Sequence, residues 1–283
     1  MVKQFEIAGA SIPGTTHFKQ GKNNQDFFYW LQTDDYVVAL VSDGCGSTKY
    51  SEVGSRLLSM VFTNYLVKYL ERNKTREGEK LFNSDRWWEE VRQDVLTRIR
   101  LIAQEMGEDW REILRDYFLA TLVGVVIRED TTCIFSCGDG VVALNGEIQE
   151  IGPFEGNMPP YLVYGITGST VTENDPSLLA IKRNTLFPTS EVQTLMIGTD
   201  GVGDLIKVAK QPFPAQEKLI GGIEQFWSED RYFENPARMQ NVFNVINTEK
   251  RRVDWKAQNI QRFPGLLPDD TTLITLRGKE GVK

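Results

Sequence analysis

Along the chain, the spacing of apolar positions separates strands from helices. Val2 to Ile12 and Phe27 to Gln32 are apolar and rich in strand-forming residues, and Tyr36 to Ser42 is an almost unbroken apolar run, as expected of a strand buried on both faces. Thr33, Asp34 and Asp35 supply the turn between the last two. The period then lengthens. From Ser51 to Leu70, apolar residues at Leu58, Val61, Phe62, Tyr65, Leu66 and Tyr69 fall on one helical face, with Ser51 as the expected N-cap. The charged run ERNKTREGEK, residues 71–80, reads as a solvated loop between helices. A second helix is expected from Ser84 to Met106, with Trp88, Val91, Val95, Ile99 and Ile102 on its core side.

Period two returns after the helices. Phe118 to Ile127 and Thr132 to Ser136 read as strands, and VVALNGEIQEI as a hairpin whose Asn145-Gly146 pair suits a type I′ turn, since both residues tolerate positive φ. Gly152 to Pro188, rich in Gly, Pro, Asn, Ser and Thr, is expected to be an irregular excursion near a functional rim. A strand at Thr194 to Thr199, a polar helical region from Gln216 to Asn259 and a closing strand at Thr272 to Arg277 complete the pattern. Helices that come in pairs, rather than one between successive strands, predict an α+β domain of packed sheets and outer helices instead of a doubly wound parallel sheet. With no repeat, low-complexity tract or linker, one domain over residues 1–283 is expected.

Composition narrows the function classes. A hydrophobic share of 41% with 25% charged residues is that of a globular protein, and 283 residues can bury a substantial core. A net charge of −7 argues against a nucleic-acid surface, which depends on Lys and Arg neutralising phosphates. Cys45, Cys133 and Cys137 form an odd set with no CxxC pair, which offers no disulfide framework and fits a reducing compartment. The N-terminal stretch has no secretory apolar core and no run reaches membrane-spanning length, so a cytoplasmic location and no membrane partner are expected. One histidine and scattered cysteines give no zinc spacing.

Candidate chemistry lies at strand ends. Asp43 in VSDGCG and Asp200 in GTDGVG each follow an apolar strand and precede glycine, Asp139 repeats the arrangement in CGDGVV, Asp269 and Asp270 precede the last strand, and Asp26 opens another in NNQDFF. A carboxylate so placed is held by a rigid element, while glycine lets the backbone turn and leaves its carbonyl open to a ligand. Any one of these alone is an ordinary turn; the series in this order is not a set of independent turns. If they converge, their charges raise one another's pKa values unless cations intervene, and a carboxylate-rich, histidine-poor set suits Mg²⁺ or Mn²⁺.

In these motifs the chain resembles the metal-dependent protein phosphatases of the protein phosphatase 2C family, in their bacterial variant. The resemblance rests on Asn24-Gln25-Asp26, Asp43-Gly44, Ala120-Thr121, Gly138-Asp139, Thr199-Asp200-Gly201 and Asp269-Asp270-Thr271-Thr272, spread over residues 17 to about 277. It implies a four-layer α-β-β-α sandwich of two mainly antiparallel sheets, with metals at one end of both. It also implies that Asp43 bridges two ions, that Asp200 and Asp269 complete one site, and that Asp26 and the Gly44 carbonyl support the other. Asp139 with Asp200 would hold a third, weaker ion, and the first aspartate of the DDTT motif, Asp269 rather than Asp270, would be the ligand. The implied activity is hydrolysis of phosphoserine or phosphothreonine in a protein substrate by metal-activated water, without a phosphoenzyme, in opposition to a Ser/Thr kinase. Residues 152–188 correspond to the family's flap.

Two positions depart from the family pattern. Gly21 stands where an arginine usually grips phosphate, leaving Lys22, Lys19 or His17 to substitute, with Lys22 and His17 the expected phosphate contacts. Cys45 and Gly46 stand where many members carry a histidine, which makes His17, the chain's single histidine, the candidate general acid beside Asp43 and Asp200. Cys45 reads as a small loop residue. A catalytically silent member of the family, acting as a binding module, is the alternative reading; a nucleotide phosphate loop at DGCGSTK lacks the required glycine spacing.

Overall fold

A computed structural model describes residues 5–256 and 258–279. The first elements are β1 (Phe5–Ile12), α1 (Thr15–Gln20), β2 (Phe27–Gln32), β3 (Tyr36–Ser42), α2 (Ser51–Arg72), α3 (Gly78–Phe82), α4 (Asp85–Met106) and α5 (Trp110–Tyr117). Next come β4 (Leu122–Arg128), β5 (Thr131–Cys137), β6 (Gly140–Leu144), β7 (Glu147–Ile151), α6 (Tyr164–Thr167), α7 (Thr170–Asn174), β8 (Lys182–Pro188) and β9 (Thr194–Gly198). The chain closes with α8 (Val202–Lys207), α9 (Gln225–Ser228), α10 (Arg231–Glu234), α11 (Ala237–Asn247), β10 (Lys250–Asp254), β11 (Asn259–Phe263) and β12 (Thr271–Gly278). The part of the first expected strand before Phe5, Val2 to Gln4, lies outside the described residues.

Two five-stranded antiparallel sheets form the centre, ordered β1-β12-β9-β6-β7 and β2-β3-β4-β5-β8. Successive side chains of a strand point to opposite faces, so a strand covered on both sides must be apolar at every position. In β3, Val37, Ala39 and Val41 enter the layer between the sheets with Val123, Val125, Ile197, Ile274 and Leu276. The alternate residues Tyr36, Val38 and Leu40 pack under α2 and α4, against Leu58, Phe62, Leu66, Trp88, Val91 and Val95. Likewise Ala8, Ala10 and Ile12 of β1 turn outward to Met239, Phe243 and Ile246 of α11. The result is the expected four-layer α-β-β-α arrangement.

Local chemistry accounts for the boundaries. Ser84 caps α4 by accepting a hydrogen bond from the Trp87 N–H, and Asp109 caps α5 through the Glu112 N–H. Asn145 and Gly146 adopt φ of 50° and 87°, so the hairpin turn is of the expected kind. Several expectations need correction. Ser51 is the first residue of α2, buried in the helix, and the cap position is Tyr50. The charged run is only partly loop, because α2 continues to Arg72 and α3 begins at Gly78. Gly152 to Pro188 contains short helices and β8, a half-exposed edge strand whose polar start hid it. The region from Gln216 to Asn259 is not wholly helical: β10 and β11 form a separate two-stranded hairpin with almost no buried position.

Candidate active site

The strand registers bring the aspartates together. Phe27 pairs with Ser42 at the end of β2 and β3, so Asp26 and Asp43, one step outside that pair, meet with their carboxyl groups in contact. Asp43 is fixed on its other side by the Thr121 N–H, which donates to its carbonyl at 2.8 Å, and the Cys45 N–H donates to Leu119 O at 2.8 Å. Gly44 has to be glycine: a Cβ there would lie 2.8 Å from the Gln25 carbonyl oxygen and from the Ser51 Cβ. Its own carbonyl receives no hydrogen bond among the described residues.

The other sheet contributes through β9 and β12. The Thr199 N–H donates to Thr272 O at 3.0 Å, continuing the ladder past Gly198, and the Thr199 hydroxyl donates to Asp26 Oδ2 at 2.7 Å, tying the two sheets at this end. Asp200 follows, and Gly201 after it touches the Asp270 carbonyl so closely that no Cβ fits. Asp139 sits where the chain leaves β5 in one sheet for β6 in the other, and Gly138, at φ of 102°, makes that crossing possible.

Adjacent aspartates divide the labour at the last motif. Asp270 is buried and its two carboxylate oxygens accept from the Gly14 and Gln25 N–H groups, each at 2.6 Å, while His17 Nδ1 lies 2.9 Å from Oδ1. It therefore holds the chain entering α1 and the loop before β2. Asp269 instead lines a cavity of about 480 Å³ together with Asp43, Asp139 and Asp200. His17, Asp269 and Asp270 offer ligand-type atoms within 4.8 Å of one another, but Asp270 is already committed to backbone donors.

Burial and mutual repulsion dominate the electrostatics. Desolvation, then the Asp270 charge, pushes Asp26 well above the usual carboxylate range against the hydrogen bond from Thr199. Desolvation, then Asp26, Asp200 and Asp269, does the same to Asp43. Asp200 is raised to about 6 by desolvation, then Asp269 and Asp139, and burial lifts Asp139 and Asp269 as well. Among the described residues no hydrogen-bond donor reaches the buried Asp26 Oδ1. An unpartnered carboxylate oxygen among carboxylates that resist joint ionisation, with an open glycine carbonyl beside them, fits hard divalent cations bound through oxygen.

The rim holds the remaining expected residues. His17 and Gly46 line the cavity, with Cys45 and Ser47 between Gly44 and α2. The Lys22 ammonium donates to the Gly46 carbonyl at 2.8 Å, so it reaches the cavity mouth but not its wall. Lys19 lies on the other side of α1, away from the aspartates. Asp204 and Tyr161 also line the cavity and were not expected. Asp204 falls four residues after Asp200 in the first turn of α8, a spacing visible in the sequence; Tyr161 had no such signal inside its irregular segment. Burial, followed by contact with the Cys45 thiol, pushes the Tyr161 hydroxyl far above its ordinary range.

The sequence profile described as Protein phosphatase 2C matches residues 13–243. The serine/threonine phosphatase Stp1 from Staphylococcus aureus superposes with a TM-score of 0.53 at 15% identity, covering 99% of this chain and 97% of its own. A bacterial serine phosphatase superposes at 0.52 with 17% identity, covering 99% and 100%. No curated protein sequence matches the chain.

Proposed function

The chain belongs to the protein phosphatase 2C family, and from that membership we propose that it acts as a single phosphatase domain hydrolysing phosphoserine or phosphothreonine in proteins, with Mn²⁺ or Mg²⁺ as cofactor. The observation that carries the reading is the convergence of Asp26, Asp43, Asp139, Asp200 and Asp269 on one cavity-bearing end of both sheets, with Asp26 Oδ1 buried and unpartnered. Asp43, Asp200 and Asp269 would hold one ion, Asp43 with Asp26 and the Gly44 carbonyl another, and Asp139 with Asp200 a third. Such ions, when bound, supply the positive charge that lets the aspartates ionise together and the Lewis acidity that activates water and neutralises phosphate.

The chain's own groups would do the rest. Asp270 fixes the entry to α1 and the Gln25 loop against each other, which sets the position of Asp26 and of His17. His17, in the cavity wall beside the Asp270 carboxylate, is placed to hand a proton to the departing serine or threonine oxygen. Lys22 at the mouth is placed to attract the phosphate of an incoming chain. A family member that binds but does not hydrolyse would retain none of the activity tested next.

Phosphate release from a phosphothreonine peptide is expected to require Mn²⁺ or Mg²⁺ and to fall by roughly 10³-fold or more in Asp43→Ala and in Asp200→Ala, since each loss removes several kcal/mol of charge stabilisation. Unchanged release in both variants, or full release in chelator, would overturn the proposal.

A further inference from the structure

The β10–β11 hairpin serves neither the cavity nor the core. Lys250, Arg251, Arg252, Lys256 and Arg262 give residues 249–263 five cations, against the carboxylates of Glu249 and Asp254, in a chain whose net charge is −7. The strand register sets Arg251 directly opposite Arg262. Like charges facing each other across two strands destabilise a hairpin, so this pairing is a cost to the free protein. Glu249 offsets part of it through a 2.6 Å contact with Arg251. On the same face, one step along, Val253 pairs with Ile260; these are 44% and 55% exposed, and Trp255 at the turn is 84% exposed. Arg252 is turned elsewhere, donating to Ala215 O at 3.0 Å and anchoring the hairpin to the body.

A groove of about 910 Å³ runs from this hairpin to α1, lined by Glu249, Lys250 and Arg251 on one side and by Phe18 and Lys19 on the other, with Arg251 the residue shared between the groove and the exposed hairpin face. Phe18 is 77% exposed. The same short helix presents His17 to the catalytic cavity, so groove and cavity lie back to back across one helix. A helix with its side chains is about 10 Å across, a width that roughly three to four extended residues span.

We propose that this groove and the Arg251, Val253, Trp255, Ile260 and Arg262 face bind an acidic segment with interspersed apolar residues in the phosphoprotein substrate, at least about four residues from the phosphorylated one. Charge complementarity selects the occupant: two facing arginines gain from carboxylates, and the exposed aliphatic and indole groups between them gain from apolar side chains. This rests on the phosphatase reading above for the identity of the partner, but docking itself requires no chemistry at the aspartates.

The test therefore separates binding from turnover. Binding of a fluorescently labelled, unphosphorylated peptide rich in Asp, Glu and Leu is compared with its Asn/Gln counterpart, using the wild type and an Arg251→Glu/Arg262→Glu/Trp255→Ala variant. The acidic peptide is expected to bind the wild type about tenfold more tightly than the neutral one, with the preference lost in the variant and weakened by salt. Attached to a phosphothreonine peptide, the acidic segment should raise kcat/KM by a similar factor in the wild type alone, while hydrolysis of a small aryl phosphate stays the same in both proteins. Binding without any turnover would uphold the docking surface and refute the phosphatase reading. Equal binding of both peptides would refute the docking surface, as would a variant equally impaired on aryl phosphate, or binding to phosphatidylserine vesicles in place of the peptide.

Discussion

The cavity floor and its rim are built on opposite plans. The floor is negative and set by strand registers: Asp26 and Asp43 end one pair of strands, while Asp200, Asp269 and Asp270 flank another. The rim is carried by a short helix and loops, with His17 on α1 and Lys22 beyond it, while Lys19 and the basic hairpin lie farther out across that helix. Sheets fix atoms to within the tolerance that metal coordination demands, whereas loops and edge hairpins can vary without disturbing them. Chemistry is therefore expected to reside in the floor and substrate choice in the rim.

Removing the tether beneath the floor should break this division most severely. Asp270→Asn keeps the shape but sets an amide nitrogen against one of the two backbone N–H groups, so either the loop before β2 or the entry to α1 loses its acceptor and the other keeps only a neutral one. A loss of about 3 kcal/mol is expected for one buried bond to a charged acceptor replaced by a donor-donor contact and a second bond weakened, or roughly 8 °C in Tm, together with reduced activity. A melting temperature within about 2 °C of wild type would show that the floor does not depend on this tether.

The second prediction concerns the floor's charge. Asp200 titrates near 6 in the folded chain, above the value of about 4 for an unfolded aspartate. Between those values the native state binds more protons, so without divalent cations stability should fall as pH rises from about 4 to about 6. In chelator, the Tm should drop by about 3 °C across that window, a figure reduced because the Asp200 carboxylate is open to solvent; Mn²⁺ should restore it at pH 7, and Asp200→Asn should flatten the slope. A Tm that climbs through the window in chelator would contradict the crowded-carboxylate account.

The smallest effect belongs to the rim. Lys22 is exposed and, among the described residues, its ammonium is held only to the Gly46 carbonyl, so Lys22→Ala should raise KM for a phosphopeptide by about threefold and leave kcat unchanged, as for a surface charge. A comparable fall in kcat would move Lys22 into the catalytic machinery. His17→Ala should reshape the pH profile of kcat; an unaltered profile would remove its assigned proton transfer.

What could be read from the sequence follows the same boundary. β2 and β3 run where their apolar patterns predicted, Phe27–Gln32 and Tyr36–Ser42, because both are flanked by sharp polar breaks. The strand-end aspartates were visible for the same reason. β10 and β11 were not, since a hairpin with no buried face carries no alternation to detect. β8 begins Lys-Arg-Asn and ends in proline, the composition of an edge rather than a core strand. α5 could have been found: Asp109 followed by Glu112 is a capping signature, but eight residues are too few for a clear period. Tyr161 reaches the cavity through tertiary packing alone, which no local pattern announces.

β12 lies between the edge strand β1 and the central strand β9 of its sheet, and the residues just before it are Asp269 and Asp270. Among the described residues β1 pairs only with β12, Phe5 opposite Gly278, so that edge of the sheet rests on a contact of long sequence separation. A change that loosens β12 would therefore free β1 and displace Asp269 and Asp270 at the same time.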